Sequence, residues 1–392
     1  MKAIDKTISM KDKIKVLLLA PNIELPPHEG GGVHLIEVSR ALSKMCKLKV
    51  LCNCGKDFKE KEIEFYHTSA GRFSLLDIRK IWKLAKDVDI IHSRIDPFEI
   101  GGLIVAKILK KPIIGEVNRN FLAWEKRYSI VDFFFPFIYL VLLLWLKLIV
   151  SRVDRIICVS ESSRKSLIKH GLDEKKIDVV SNGGNPHRFE QLNEKEVKEL
   201  RKKLSLPENL IVLLMGRLAP IDGVDRLFDV KLKDINFLII GGKRKYKRYI
   251  AKMKKKAPSN FTFIDSIPYE EIKHYILASD IIIAPFRESS NKEELGPSPI
   301  GILDAMAAGK PIIASDVSGI REILSDREGI ITNNFAEAIQ RLRDKNLREK
   351  KGKAAREKIE KELSWDHTAQ KLVRIYNQEI RRKLESAGSS GK

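Results

Sequence analysis

Cysteine is scarce in this sequence of 392 residues, and its spacing argues against two kinds of fold. The four cysteines, Cys46, Cys52, Cys54 and Cys158, include no C-x-x-C pair, so no zinc site is predicted. A chain of this length buries sizeable hydrophobic cores without a disulfide scaffold. We therefore expect four buried free thiols in a reducing compartment.

The sequence also lacks a signal peptide and a membrane-spanning segment. Residues 1–13 have no apolar core, which predicts a cytoplasmic protein. The longest apolar run, residues 133–146, is shorter than the ~20 residues that span a bilayer. The basic residues that flank this run are Lys126, Arg127, Arg152 and Arg155. They favour a helix lying in the headgroup region of an anionic membrane, and a helix buried in the first domain is the alternative.

Negative charge is in deficit, with 52 Asp and Glu against 73 Lys and Arg and a formal net charge of +21. Such a charge attracts polyanions, although the wide spread of the lysines also fits a merely Lys-rich composition. The chain lacks the interleaved basic and aromatic residues of nucleic-acid-binding proteins, so we expect no nucleic-acid partner. The anion that we expect is the inner face of the membrane, to which the protein would bind peripherally.

Short apolar segments alternate with helical patterns in two successive series. Strands that are unbroken runs of Val, Ile and Leu are covered on both faces, which indicates parallel sheets made of βαβ units. The sequence thus predicts an α/β protein with two doubly wound domains. The predicted strands are Lys15–Ala20, Lys49–Cys52, Val88–His92, Pro112–Val117, Arg155–Ser160 and Ile177–Ser181 in the first series, and Ile211–Gly216, Phe237–Gly241, Phe261–Ile264, Asp280–Pro285 and Pro311–Ser315 in the second.

The domain boundaries follow from this division. Residues 1–185 form the predicted first domain, and residues 210–365 form the second. The polar segment 186–209 between them is the expected linker, with one short helix. A last helical pattern covers about residues 366–385.

Parallel sheets bind ligands at the carboxyl ends of their strands, where helix N-termini hold phosphate. Gly30, Gly31 and Gly32 follow the first strand and precede a helical pattern, so their N–H groups are open to a ligand. They do not form a G-x-G-x-x-G motif, and a merely flexible loop is the alternative. Arg217 follows a strand of the second domain, where its guanidinium would grip a diphosphate; an ordinary surface arginine is the alternative.

A second helix start lies in the stretch GPSPIGILDAMAAGKPIIASD, residues 296–316. Ser298 is the expected N-cap, with Pro299 in the first turn. The N–H groups of Ile300 and Gly301 would then bind phosphate, and Asp304 would bind a ribose.

Taken together, these stretches resemble the family-4 retaining glycosyltransferases over nearly the whole chain. The residues that carry the resemblance are GGGVHLIEVSRALSK, GRLAPIDGVDRL, PIGILDAMAAGKPIIASDVSGIREIL and SWDHTAQKLVRIY. The resemblance implies the GT-B fold, in which two Rossmann-like domains flank a cleft and a C-terminal helix crosses back to the first domain. It also implies transfer of a sugar from a nucleotide-sugar donor, with retention and without a metal or other cofactor.

The sequence departs from this family at its site. Asp222 stands where the family has a diphosphate-binding Lys, so either its carboxylate points away from the diphosphate or another cation, Lys243, Arg244 or Lys310, supplies the charge. Gly296 stands where the family has the first Glu of E-x7-E, and a shift of the loop would bring in Glu294.

Two further polar residues complete the predicted catalytic group of Asn118, His92 and Glu294. Asn118 replaces a His that the family often has, whereas His92 ends the preceding strand and is alternatively a structural histidine. The expected function is therefore transfer of a sugar to a glycan or lipid-linked acceptor at the membrane. A catalytically impaired nucleotide-sugar-binding or scaffold protein is the alternative, and an epimerase would need acid and base groups that we do not find.

Overall fold

The computed structural model describes residues 13–71, 73–96, 99–118, 135–287, 299–317 and 319–389, which contain two sheets with helices on both faces. The strands of the first sheet are β1 (Lys15–Glu24), β2 (Lys47–Asn53), β3 (Phe58–Glu60), β4 (Ile63–His67), β5 (Ile90–Arg94), β6 (Ile113–Val117), β7 (Arg155–Cys158) and β8 (Ile177–Val179). Those of the second sheet are β9 (Leu210–Gly216), β10 (Ile235–Gly241), β11 (Phe261–Ile264), β12 (Ile281–Ala284), β13 (Ile312–Ala314) and β14 (Gly329–Ile331).

The helices connect successive strands, as in βαβ units. They are α1 (Gly30–Ser43), α2 (Ile78–Ala85), α3 (Gly101–Ile108), α4 (Phe135–Leu148), α5 (Glu161–Lys169), α6 (Glu194–Lys203), α7 (Lys247–Lys256), α8 (Tyr269–Ala278), α9 (Ile300–Ala307), α10 (Ile320–Ile323), α11 (Phe335–Arg341), α12 (Lys345–Lys361) and α13 (Trp365–Ser389). The segment 186–209 holds a 3₁₀ turn, Pro186–Arg188, and α6, whose Asn193 forms a capping box.

The two sheets have the doubly wound order that the sequence predicts. The first runs β3-β4-β2-β1-β5-β6-β7-β8 and the second runs β11-β10-β9-β12-β13-β14. All eleven predicted strands are present. Neighbouring residues of β1 pack into different cores, with Val16 and Leu18 on one face and Leu17 and Leu19 on the other. Burial on both faces therefore explains why these strands are unbroken apolar runs.

Three strands, β3, β4 and β14, are not predicted from the sequence. β3 and β4 form an edge in which charged residues interrupt the apolar ones, and β3 is antiparallel to β4. The Phe58 and Phe65 rings stack at 4.5 Å between centroids, which holds this hairpin together. β14 is only three residues long. The first sheet is thus mixed, with one antiparallel strand at its exposed edge.

The last helix crosses from the second sheet back to the first, as the resemblance implies. Trp365, Leu372 and Tyr376 of α13 are buried in the core beneath α1. The backbone N–H of Trp365 donates to the carbonyl of Gly184, at 3.2 Å. Burial of this apolar face stabilises the crossing, because each buried large side chain contributes roughly 1.5–3 kcal/mol.

A buried polar network anchors the same helix to the first sheet. The two carboxylate oxygens of Glu116, on β6, contact Nε2 of His34 at 2.7 Å and Nε2 of His92 at 3.2 Å. His92 Nδ1 lies 2.6 Å from the Tyr376 hydroxyl, and His34 Nδ1 lies 2.8 Å from Asn182 Oδ1. Burial acts to raise the pKa of Glu116, but the two imidazoles hold it well below the ordinary glutamate range.

The apolar run is neither membrane-spanning nor fully buried. Among the described residues, no helix is both long and apolar enough to cross a bilayer. One face of α4, with Leu142, Leu143 and Leu146, packs on the first core. The opposite face is between 45% and 68% exposed, and its residues are Phe137, Leu140, Val141, Leu144 and Leu148. We call these five residues the α4 stripe.

Two expectations about single residues need correction. Cys46, Cys52 and Cys158 are buried free thiols as predicted, but Cys54 is only partly buried because it lies just past the end of β2. Arg155 does not face solvent as a free cation, since its guanidinium pairs with Asp178 at 2.5 Å. Lys126 and Arg127 lie outside the described residues.

We expect Glu116→Gln to lower the free energy of unfolding by about 3 kcal/mol, because it breaks a buried network whose other members stay buried. Denaturant unfolding measures this loss. The low pKa of Glu116 means that its contribution is full above the ordinary glutamate value and is lost as the pH falls through the lower, folded-state value. The difference between the variant and the wild type should therefore shrink below about pH 4.

Glu174→Gln is the matched control, since Glu174 also pairs with a basic residue, Arg164, but is 62% exposed. It should change the unfolding midpoint much less than Glu116→Gln does. Equal losses for the two variants would contradict a special role of the buried network.

Candidate functional site

The carboxyl ends of both sheets open onto one cleft. The N-terminus of α1, which follows β1, faces the strand ends of the second sheet. Lys243, after β10, reaches across to Glu29, which precedes α1, with Nζ 2.5 Å from Oε2. Ile300, the first residue of α9, packs against the core of the first sheet. A ligand bound between the sheets would therefore touch α1 on one side and β9, β10 and α9 on the other.

Arg217 leaves the end of β9 and is oriented by Asp222. Its Nη2 donates to Asp222 Oδ1 at 3.0 Å, and the Arg217 side chain remains 52% exposed. The other Asp222 oxygen accepts a hydrogen bond from the backbone N–H of Ala219, at 2.8 Å. Asp222 therefore neither points away from Arg217 nor stands unpaired beside it. It caps a tight turn and holds the guanidinium at the edge of the cleft.

Of the three cations considered as replacements for the missing Lys, Lys310 is excluded by its position. Its ammonium group donates to the carbonyls of Leu277 and Ser279, both at 2.8 Å, beneath the surface. Burial lowers the pKa of Lys310 to about 8. Arg244 is exposed in the turn after β10, whereas Lys243 lies in the cleft itself.

Helix α9 begins at Ile300, as predicted, and Gly301 lies beside Met215 near the end of β9. Pro299 is the residue that precedes it, and the first helical bonds run from Ile302 and Leu303 to the Pro299 carbonyl. The N–H groups of Ile300 and Gly301 come before these bonds and stand at the positive end of the helix. The predicted N-cap Ser298 and the predicted catalytic Glu294 lie outside the described residues, as does Gly296.

Asp304 lies one turn into α9 and is only 3% exposed. Its Oδ2 pairs with Nη1 of Arg188 at 3.3 Å, and the Arg188 guanidinium lies 3.5 Å from the centre of the Tyr269 ring. Burial raises the pKa of Asp304 to about 7, while Arg188 opposes this rise. Asp304 thus sits behind the helix start in a buried ion pair, and its contact with a ribose stays a prediction.

The three glycines do not form a loop. Strand β1 continues to Glu24, and Gly30, Gly31 and Gly32 are the first turn of α1. A Cβ on Gly32 would lie 2.9 Å from the Glu24 carbonyl oxygen, so close packing requires glycine there. The alternative of a merely flexible loop is therefore wrong, because these glycines let the helix start pack tightly on the strand that precedes it.

The two catalytic candidates of the first sheet differ in access. His92 is 1% exposed, and both its ring nitrogens face Glu116 or Tyr376, so the structure favours the structural alternative. Asn118 directly follows β6 at the carboxyl edge and is partly exposed. Its Nδ2 has no hydrogen-bond partner among the described residues. Its Nδ2 is buried, but the residue as a whole is more exposed than His92, so Asn118 is the better placed of the two candidates.

Sequence reasoning missed two acids at the same edge, Asp96 and Glu99. Both follow β5 and are at most 5% exposed. Asn22, in β1, donates to the Asp96 carboxylate, and burial raises the pKa of Glu99 to about 7. The order of the strands reverses between β1 and β5, which is where doubly wound sheets bind ligands. Their place just after a predicted strand was the signal that could have identified them.

Two family models match the chain, one in each domain, and together they cover every strand of the two sheets except β1. The model described as Glycosyltransferase Family 4 matches residues 28–188. The model described as Glycosyl transferases group 1 matches residues 196–361, which include β9, β10 and α9. Arg217, Lys243 and Asp304 all lie in the second match.

Curated proteins and solved structures agree with these matches. An uncharacterized glycosyltransferase of Methanocaldococcus jannaschii is 24% identical over 407 residues, covering 93% of this chain and 98% of that protein. A GDP-mannose-dependent monoacylated alpha-(1-6)-phosphatidylinositol monomannoside mannosyltransferase of Corynebacterium glutamicum is 25% identical over 215 residues, which is 52% of this chain and 56% of that protein. The structure of Anabaena HepE in complex with UDP and glucose has a TM-score of 0.71 at 17% identity and covers 93% of this chain and 99% of that one. At this identity the structural likeness establishes the shared fold.

We expect Asp222→Ala to lower the free energy of unfolding by about 1–2 kcal/mol, because the turn loses its cap and Arg217 loses its partner. Asp222→Asn keeps an oxygen that accepts the Ala219 N–H and should recover most of the loss. Urea unfolding measures both variants. If Asp222→Ala were as stable as the wild type, the side chain would not hold this turn.

Proposed function

Because this chain belongs to the glycosyltransferases described by the family 4 and group 1 models, we propose that it transfers a sugar from a nucleotide-sugar donor to a glycan or lipid-linked acceptor. The observation that carries the donor part is Arg217, held by Asp222 at the end of β9 next to Lys243, which itself reaches Glu29 at the start of α1. Anabaena HepE, which shares the fold, was solved with UDP and glucose.

The chemical work in this proposal is stabilisation of the departing nucleoside diphosphate. Negative charge builds up on that group as the bond to the sugar breaks, so fixed donors aimed at it lower the barrier. Arg217 supplies a planar fork of N–H donors, and the N–H groups of Ile300 and Gly301 add the positive end of α9. We propose that transfer proceeds with retention and without a metal ion or other cofactor.

The acceptor is proposed to enter on the side of the first sheet. Asn118, Asp96 and Asn22 lie at the carboxyl edge of neighbouring strands and offer amide and carboxylate groups to sugar hydroxyls. Asn118, which is partly exposed but has a buried amide nitrogen without a hydrogen-bond partner among the described residues, would position the acceptor hydroxyl near the anomeric carbon. His92 supports this edge from below through its contacts with Glu116 and Tyr376.

We also propose peripheral binding to the cytoplasmic face of a membrane. The α4 stripe supports this, because five exposed apolar side chains on one face of a helix form an apolar strip. Lys147 in α4 and Arg152 after it are exposed and basic, which suits anionic headgroups. The name of the Corynebacterium relative includes a phosphatidylinositol monomannoside, which is a lipid, and this fits an acceptor at a lipid surface.

A nucleotide-sugar-binding protein without transferase activity is the second candidate function. It is favoured by Asp222 at the position of the family's Lys and by the buried Arg188–Asp304 ion pair. Such a protein would bind the donor and would transfer nothing to membrane extracts, which distinguishes it from the enzyme.

Donor binding is tested by thermal unfolding in the presence of UDP, GDP and ADP and their sugars. A nucleotide at 100 times its dissociation constant should stabilise the protein by about 2.7 kcal/mol. Arg217→Ala should weaken binding of that nucleotide by about tenfold or more, since a charged hydrogen bond is lost. The matched control is Arg248→Ala, which removes an exposed arginine of α7 in the same domain. Unchanged binding in Arg217→Ala would refute the proposed role of Arg217.

Membrane binding is tested by sedimentation with vesicles of phosphatidylglycerol and phosphatidylcholine. Replacing Leu140 and Leu144 of the α4 stripe by Ser should weaken binding at least about tenfold, because two apolar side chains no longer enter the bilayer. Leu76→Ser is the control, since Leu76 is 77% exposed but lies outside the stripe. Equal binding of the double variant and the control would exclude the stripe as the membrane contact.

A further inference from the structure

The ends of β9 and β10 are hydrogen-bonded to each other, so the residues that directly follow the two strands lie side by side. The N–H of Gly242 donates to the Gly216 carbonyl at 3.0 Å, and the N–H of Lys243 donates to the Arg217 carbonyl at 2.9 Å. A Cβ on Gly241 would lie 2.2 Å from the Gly216 oxygen, and Gly241 has φ +118°, so only glycine fits. Arg217 and Lys243 are therefore two cations at a single edge of the cleft.

The Lys243 ammonium group is held by the other side of the cleft. Its Nζ lies 2.5 Å from Oε2 of Glu29, a residue 214 positions earlier that precedes α1. Both side chains are partly exposed, at 36% for Lys243 and 50% for Glu29, so solvent and ligands reach the pair. The contact is thus an exchangeable ion pair between the two halves of the molecule.

We propose that Lys243 is the second cation of the diphosphate site, and that Glu29 is its counterion until the diphosphate of the donor displaces it. The inference rests on the proposed donor binding. Asp222 occupies the position of the family's Lys and is committed to Arg217, while Lys310 is buried beneath backbone carbonyls. Lys243 stands beside Arg217 and already binds a carboxylate. The negatively charged oxygen atoms of a phosphate would bind the same ammonium group.

The exchange costs little in electrostatic terms. One anion replaces another at the ammonium group, so the Lys243 charge keeps a partner, and the released Glu29 is half exposed to water. The released Glu29 carboxylate stays beside the first N–H groups of α1, where the helix dipole favours negative charge. Donor binding would therefore open one bridge across the cleft, while Arg40 and Glu270 still connect the two sides at 3.4 Å. Glu29 thereby lowers the affinity of the site for a donor diphosphate.

Calorimetric titration with UDP, GDP and ADP, and with the corresponding monophosphates, tests this exchange. Lys243→Ala should weaken binding of the preferred diphosphate about tenfold and leave the monophosphate unchanged, because the lysine contacts the terminal phosphate. Glu29→Gln should tighten diphosphate binding about threefold, since the competing anion is gone. In the Glu29→Gln, Lys243→Ala double variant this gain should disappear. Arg244→Ala is the matched control and should bind as the wild type does.

The outcomes separate this inference from the proposed function. If the wild type binds none of the nucleotides, donor binding itself fails, and this inference fails with it. If the wild type binds a diphosphate and Lys243→Ala binds it equally well, the role of Lys243 is refuted while the donor site stands. A loss in Arg244→Ala instead of Lys243→Ala would overturn it as well. Unchanged monophosphate binding in Lys243→Ala shows that the variant is folded.

Discussion

The structure depends on the attachment of its last helix to its first sheet. α13 returns from the second domain and buries Trp365 and Tyr376 beneath α1. The polar chain from Tyr376 through His92 to Glu116 and His34 fixes its position where apolar packing alone would leave it free to slide. A buried carboxylate without partners is costly, so the network is satisfied in only one position of the helix on the sheet. The two sheets consequently face each other across one cleft.

This constraint gives the cleft its chemical asymmetry. The first sheet brings acids and amides to its carboxyl edge, among them Asp96, Glu99 and Asn118. The second brings Arg217 and Lys243 and the start of α9. An anionic leaving group would be stabilised by the second set, and a neutral polyol would be bound by the first. The cleft is therefore polarised in the direction along which a sugar would move from a nucleoside diphosphate to a hydroxyl group.

Much of the fold could be predicted from the sequence, because strands such as Leu210–Gly216 are covered on both faces and must be continuously apolar. The hairpin Phe58–His67 could not, since an edge strand needs no such run. For the site, the sequence identified Arg217 and the start of α9 by their place after strands. It did not reveal that Asp222 pairs with Arg217, or that His92 is enclosed by Tyr376, because these partners meet only in three dimensions.

We therefore interpret the departure at Asp222 as a rearrangement of the site and not as a loss. A site that binds a diphosphate needs positive charge at one place, and the position in the chain that supplies it is secondary. Asp222 at the family's Lys position gives Arg217 a fixed orientation, and the tight junction of Gly216 and Gly241 brings Lys243 to the same edge. In this arrangement Lys243 reaches the opposite wall of the cleft and pairs with Glu29 there. The Lys243 ion pair thereby connects the second domain to the first. A lysine within the turn at Pro220–Asp222 would bind a diphosphate without needing such a connection.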